Sequence, residues 1–389
     1  MVCPRGGQPK ERRGEEITEQ LDYVPASFIV RRPGRGKYAC KKCQEGVVIA
    51  DLPARPIEKG RPGEGLLAQA LTSKYGAHTP LHRQTVIYRR PGAEMARSTP
   101  CDWVGESAAL RAPRVEERRR QIPGSPKIPT DDTPVAARNG SAQEIPKGFL
   151  GTYLDLLKNG VFDYTPGHRR EGPLEFLGDD AGYLQADAYK GYDAFFAKGR
   201  AKEVACWAHT RRKFFEAQDT DPARAAEMLV SAGDLYQVED RAKEEGLDRD
   251  QIKAFRQEES QPILEVLETR LELWGPRVLP KSPLGQALGQ AQGPREALNR
   301  YTDDGLLSSD NDLSEQVLRR GALGRKNGLF VGHDNGGHRA AILYRLVASC
   351  KLCGIDPFAY FRDVLERIST HPARRIAELL PRNWKPSRP

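Results

Sequence analysis

The chain has 389 residues, a formal net charge of +8 and 38% hydrophobic residues, with a mean hydropathy of −0.63. No run approaches the roughly 20 apolar residues that span a bilayer, and MVCPRGGQPKERRGEE lacks the apolar stretch of a secretion signal, so a cytoplasmic protein with no membrane partner is expected. Seven scattered cysteines argue against a disulfide framework, while the Lys/Arg excess favours a polyanionic partner through phosphate neutralisation, although a mildly basic chain is common without one.

Length alone suggests two or three domains. Residues 1–50 read as a small β-rich module: EEITEQLDYVPASFIVRR alternates short apolar and polar runs, and KYACKKC follows a Gly turn. The Pro-, Gly- and charge-rich ARPIEKGRPGEG reads as a linker. Residues 64–120 give short helical patterns, broken at Gly76 and Pro80 and resumed from Ser98 through Trp103 to Leu110. Leu67, Ala70, Leu71 and Tyr75 share one face of the first. Short helices with tight turns and basic outer faces fit a helix-turn-helix-like DNA reader; a plain three-helix packing unit fits equally. The Arg- and Pro-rich stretch over 112–130 reads as a charged helix and an extended entry.

From about 128, aromatic and β-branched runs predict strands in KIPTDDTPVAA, GFLGTYLDLL, GVFDYTP, GYLQADAY and EVACWAH, with the helix KGYDAFFAKG between the last two. A run of strands, a helix and another strand reads as a ribonuclease-H-like core, an α/β architecture placed over 126–337. Residues 211–300 read as helical, with an insertion over about 218–303 in which Ile263, Val266, Leu267 and Leu271 fall on one face. After 308 come a capped helix, a Gly-rich turn and two apolar helices. The last carries Phe361, Val364, Leu365 and Ile368 at helical spacing within a C-terminal segment, 338–389.

Three acids stand out. On a strand, Leu184 and Ala186 face opposite to Gln185 and Asp187. A charge in an apolar strand costs energy unless paired or metal-bound; a turn or edge aspartate facing water is the alternative. Asp131 and Asp132 point to opposite faces, so only one reaches a shared site, unless the pair merely starts a turn before Pro134. Glu315 ends Asp312-Leu-Ser-Glu315, a capping-box-like spacing that also fixes a carboxylate at a helix start. Arg319, one turn on, can pair with Glu315 or contact phosphate. Three converging carboxylates suit magnesium, which prefers octahedral oxygen ligands. Two such ions about 4 Å apart can serve phosphoryl transfer.

Cys40-x2-Cys43 has half the spacing of a zinc ribbon, and Cys3 offers a third ligand of four. Cys206-x2-His209 is a metal half-site or a strand-to-helix corner, and the structural role is favoured. Cys350 and Cys353 read as buried small residues in an apolar helix. Arg211-Arg212-Lys213 precedes Phe214-Phe215, and Arg325-Lys326-Asn327 precedes Gly328-Leu329-Phe330. Such basic clusters with apolar anchors can contact phosphates, unless they are simply solvated charge runs.

The motifs GEEITEQLDYVPASF, KYACKKC, LPARPIEKGRPG, DDTPV, GYLQADAYKGY, CWAHTRRKFFEA and NDLSEQVLRRGALGRKN occur in that order, before GHDNGGHRAAILYRLVASCKLCGIDPFAYFRDVLERI. In content and order they resemble the transposases of bacterial insertion-sequence family 66, from about residue 14 to the C-terminus. The resemblance implies a ribonuclease-H-like fold with an Asp–Asp–Glu site for Mg2+ or Mn2+ on Asp131, Asp187 and Glu315. The separations are 187 − 131 = 56 and 315 − 187 = 128 residues, the second long enough for the helical insertion. It also implies a zinc-ribbon-like module over 1–50 with Zn2+ on Cys3, Cys40 and Cys43, and a structural Cys206–His209 element. Double-stranded DNA, as element ends and target, would be held by Arg211, Arg212, Lys213, Arg319, Arg325 and Lys326. A homo-oligomer and accessory proteins of the same element complete the implied partners.

The chain departs from the family pattern in several places. It starts after a further N-terminal segment usual in the family, and CPRGG lacks the second cysteine of a CxxC pair. Pro100 interrupts a helix expected in the DNA-binding region, the stretch between Asp131 and Phe149 is short, and Gly151 stands where tryptophan is common. The expected activity is metal-dependent cleavage and strand transfer at element ends. A truncated, catalytically silent DNA-binding remnant is the alternative, and a nuclease without transfer activity a third reading.

Overall fold

A computed structural model of the chain describes residues 5–9, 15–23, 26–41, 46–58, 60, 62–110, 122, 124–137, 147–156, 160–167, 171–179, 181–187, 190–197, 199, 201–329 and 331–387. They divide into two units, one of 1–50 with 86–95 and one of 51–85 with 96–389. The helices, in chain order, are α1 (Glu64–Tyr75), α2 (Leu81–Arg89), α3 (Thr99–Ala109), α4 (Glu171–Leu177), α5 (Asp193–Phe196), α6 (Trp207–Ala217) and α7 (Pro222–Glu244). Then follow α8 (Arg249–Trp274), α9 (Pro283–Gln292), α10 (Arg295–Asn299), α11 (Asp312–Gly328), α12 (Asp334–Leu352) and α13 (Pro357–Arg367). Among the described residues, no helix is long and apolar enough to cross a membrane.

In the first unit, β1 (Lys37–Tyr38) and β2 (Val48–Ile49) form a short antiparallel pair with Lys37 opposite Ile49. Arg35 donates to Ala50 O at 2.9 Å, and Phe28 meets Tyr88 edge-on at 5.6 Å between ring centroids. The strands expected across EEITEQLDYVPASFIVRR do not form among the described residues, and Ile17, Leu21, Tyr23, Ile29 and Val30 stay exposed. Alternation has no consequence where no partner strand offers a face to bury. Cys40 is exposed; Cys3 and Cys43 lie outside the described residues.

A five-stranded sheet, ordered β5-β4-β3-β6-β7, organises the second unit. Its strands are β3 (Lys127–Ala136), β4 (Lys147–Leu154), β5 (Gly160–Thr165), β6 (Tyr183–Gln185) and β7 (Lys202–Val204). The first three form an antiparallel meander; β6 and β7 run parallel to β3. Alternate residues face opposite sides. One side carries Ile128, Tyr153, Val161 and Leu184 against Phe176 and Leu177 of α4 and Phe195 of α5. The other carries Val135, Leu150, Leu154, Phe162 and Tyr164 beneath α11 and α12.

Two local readings need correction. Helix α4 is not foreseen, because Gly172 and Pro173 stand in EGPLEFL. Both fall in the first turn, where a missing N–H leaves no helical bond unmade. EVACWAH is not one strand: β7 stops at Val204 and Cys206 becomes the N-cap of α6. There the backbone leaves the ladder, with Ala205 N donating to Ala297 O at 3.0 Å and Trp207 N to Ser309 O at 2.9 Å.

Helices α6 to α10 bury a core of their own, including Trp207, Phe214, Met228, Leu235, Leu288 and Tyr301. On α8 the buried stripe runs through Leu264, Leu267, Leu271 and Trp274, whereas the expected Val266 is exposed and Ile263 is half-buried. The helical period selects 264, 267, 271 and 274 and turns Val266 away. Leu67, Leu71 and Tyr75 of α1, with Val104 and Ala108 of α3, share one core with Leu343 and Val347 of α12 and Phe361 and Leu365 of α13. Pro100 does not interrupt α3; it sits in the first turn, where proline is tolerated. Cys350 is buried, but Cys353 lies exposed just past α12.

Candidate functional site

Strands β3 and β6 pair with Lys127 opposite Tyr183, Ile128 opposite Leu184 and Pro129 opposite Gln185. That offset, 183 − 127 = 56, equals the spacing 187 − 131 = 56 of the two aspartates. Asp187 stands two residues past the end of β6, so continuing the register sets it beside Asp131. Asp131 faces the side toward α11, and Asp187, past the ladder, acts on both the Asp131 carboxyl and the Tyr192 phenol. Asp132 turns to the other side, where its charge acts on the phenols of Tyr153 and Tyr192. Its amide still donates to Asp131 Oδ1 at 2.8 Å.

Glu315 arrives on the first turn of α11, which packs across β3 and β4. The segment 304–311 that delivers it is pinned by polar bonds. Gln185 Nε2 donates to Ser308 O and Asp310 O, both at 2.6 Å. Asn311 Nδ2 donates to Thr130 O at 2.7 Å, and Lys127 Nζ to Ser308 Oγ at 2.8 Å. Burial, with Arg256 nearby, pulls the Lys127 ammonium down to about 8. Losing one partner of such a buried bond costs about 1–3 kcal/mol, so the start of α11 is held firmly against the two aspartate-bearing strands.

The capping box expected at Asp312 is not formed. Asn311 is the N-cap, which makes Ser314 the third helical residue and leaves the Glu315 carboxylate off the helix end. Instead Glu315 Oε1 faces His209 Nε2 at 3.6 Å. Asp131 feels its neighbours strongly: burial first, then Asp187, then Glu315 and Asp132, push its carboxyl from 3.8 up to about 8 against the pull of the Asp132 amide. The three acids thus occupy one electrostatic neighbourhood, and Asp131 retains a proton near neutral pH.

Cys206 is buried beside this group, and burial pushes its thiol up to about 11, opposed by the amides of His209, Asn311 and Ala208. Among the basic candidates, Arg211, Arg212, Arg319 and Lys326 are exposed. Lys213 pairs with Glu216 at 2.7 Å. Arg325 donates to Pro134 O at 2.7 Å and Thr133 Oγ1 at 3.1 Å, clamping α11 onto β3. Arg319 makes no ion pair with Glu315 among the described residues. Phe214 is buried while Phe215 is exposed, so one aromatic of that pair anchors α6.

Sequence reasoning misses Lys127, Gln185 and Asn311 as the residues that set the geometry. Gln185 carried one signal, since it shares strand parity with Asp187; the other two carried none, because their partners are distant in the chain.

The profile for "Transposase IS66 family" matches residues 59–339, that for the "IS66 C-terminal element" residues 346–382, and that for the "zinc-finger binding domain of transposase IS66" residues 1–44. The protein y4qI of Sinorhizobium fredii (strain NBRC 101917 / NGR234) is 33% identical over 98% of this chain and 73% of its own length. From the same organism, y4hP is 30% identical over 98% of this chain and 72% of its own length, and y4jD 31% over 96% and 76%. The chain belongs to the IS66 family of transposases.

Proposed function

We propose that this protein is a DNA transposase in which Asp131, Asp187 and Glu315 form a hard-cation centre on a ribonuclease-H-like core. The carrying observation is the matched register of the two aspartates, with Glu315 on the facing helix start and the resulting upward push on Asp131. An antiparallel meander of three strands, then a helix, then parallel strands supports the core reading. The donors fit Mg2+ or Mn2+, which take anionic oxygen. The charge excess that keeps a proton on Asp131 is what a divalent cation would relieve. When bound, such a cation supplies activation of the attacking oxygen and stabilisation of the leaving one.

The chain's own residues do the positioning. Asp131 is fixed in mid-strand, and Asp187 follows directly from β6. Glu315 is held by the bonds of Gln185 and Lys127 to the segment before α11, and by that of Asn311, in the segment, to Thr130 of β3. Exposed Arg211, Arg212, Arg319 and Lys326 hold phosphates, while Lys213 pairs with Glu216 and Arg325 donates to Thr133 and Pro134. Water attacks the phosphodiester at the element end, forming one P–O bond as another breaks. The freed 3′-hydroxyl then attacks a target phosphodiester in the same way. Two ends must be brought together, which calls for a homo-oligomer, with accessory proteins of the element as further partners. Zinc on Cys3, Cys40 and Cys43 rests on the family segment over 1–44 and takes no part in this chemistry.

The test uses terminal-end DNA, the full chain and Mg2+. Nicking at the end and a joined product are expected, and Asp187→Asn should lose both while still binding DNA. Unchanged cleavage by Asp187→Asn sinks the site. Salt-sensitive binding with no nicking by the wild type points to a silent remnant, and cutting without joining to a plain nuclease.

A further inference from the structure

We propose that Cys206, His209 and Glu315 form a second, softer metal site, for Zn2+ or a similar transition ion, sharing Glu315 with the three-carboxylate centre. One ligand atom from each residue lies within 4.8 Å of the other two. His209 Nε2 and Glu315 Oε1 stand 3.6 Å apart, close to the separation of two ligands on one tetrahedral ion with bonds of about 2.0–2.2 Å. One sulfur, one imidazole nitrogen and one carboxylate oxygen make a donor set suited to zinc, and three protein ligands leave the fourth position open.

Two further observations point to a cation here. His209 Nδ1 is buried with no hydrogen-bond partner among the described residues. Ligation through Nδ1 would give that atom a partner, while Nε2 is the ring nitrogen that faces Glu315. Second, the amide of Asn311 donates to the buried Cys206 Sγ at 3.3 Å. Hydrogen bonds of this kind support a ligating sulfur from outside the first ring of ligands. On binding, the thiol proton goes to solvent and the sulfur electron pair to the ion. The backbone supplies the rigidity, since Cys206 caps α6 and His209 lies on its first turn.

The binding site stands on this geometry alone. Its consequence rests on the proposed function: an ion held by Cys206 and His209 withdraws Glu315 from Asp131 and Asp187, so zinc should antagonise the hard cation.

The experiment uses the full chain carrying Cys3→Ser, Cys40→Ser and Cys43→Ser, stripped of metal and titrated with Co2+. One equivalent should bind with a sulfur-to-cobalt charge-transfer band. That band should vanish in a further Cys206→Ser variant, and His209→Gln should weaken binding at least tenfold. No band, or a band that survives Cys206→Ser, overturns the site; should Cys206→Ser misfold by circular dichroism, undiminished affinity in His209→Gln overturns it instead. Bound Mn2+, followed by electron paramagnetic resonance, should be displaced by Zn2+ only when Cys206 is present. Mn2+ that ignores Zn2+ while the cobalt band forms overturns the sharing of Glu315. Failure of Mn2+ to bind at all would instead fail the three-carboxylate reading, with the cobalt band intact.

Discussion

Replacing Asp131 by asparagine should stabilise the metal-free protein. The carboxyl stands at about 8 rather than 3.8, because burial and the charges of Asp187 and Glu315 penalise its ionised form. Each pH unit of such displacement is worth about 1.4 kcal/mol. At pH 7 roughly three units are in force, or about 4 kcal/mol before solvent screening, which for a half-buried group reduces it to about 2–4 kcal/mol. Asparagine keeps the shape and can still accept from the Asp132 amide, so the variant should unfold roughly 4–8 °C above wild type at about 2 °C per kcal/mol.

The sign follows from linkage. A carboxyl raised in the folded state contributes fully below its unfolded value and loses that contribution as pH rises through the folded one. The gap between variant and wild type should therefore close near pH 4 and be widest above pH 8. Divalent cation narrows the gap, and reverses it only where the gap is below about 2.7 kcal/mol. At a hundredfold excess over Kd, Mn2+ should stabilise the wild type by about 2.7 kcal/mol and the variant by much less. Thermal unfolding from pH 4 to 9, with and without Mn2+, reads both effects. A variant less stable than wild type at pH 8 without metal, or equally stabilised by Mn2+, would refute the argument.

Three further outcomes are expected. Arg211→Ala with Arg212→Ala should lower the slope of log affinity against log salt for duplex DNA by about 0.9 for each phosphate no longer neutralised; Lys213→Ala should do less, because Lys213 is paired with Glu216. An unchanged slope removes α6 from the DNA path. Arg256→Met should cost about 3–5 kcal/mol in urea unfolding, because this buried side chain holds Glu239 at 2.5 Å and the carbonyls of Tyr301 and Leu307 at 2.8 and 3.0 Å. Gly337→Ala places a methyl against the Tyr164 ring and should cost about 1–3 kcal/mol, read as a lowered thermal midpoint; a neutral result would show that α12 can move off β5.

What the sequence makes legible here is local chemistry, and what it hides is register. The run KIPTDDTPVAA reads as a strand because apolar and β-branched residues alternate around its acids, and β3 forms over it. At the N-terminus the same alternation misleads, since EEITEQLDYVPASFIVRR finds no ladder to join among the described residues. The 56-residue spacing of Asp131 and Asp187 acquires meaning only once Lys127 lies opposite Tyr183, a pairing that no window of sequence contains. Glu315 makes the point most sharply. Its spacing from Asp312 predicts a capping box, yet the helix begins one residue earlier. Asn311 is drawn there by Thr130, 181 residues away, and by Cys206, 105 residues away. Those two bonds free the Glu315 carboxylate from helix capping and turn it toward His209. The same residues that displace the cap thus decide which partners the third acid meets.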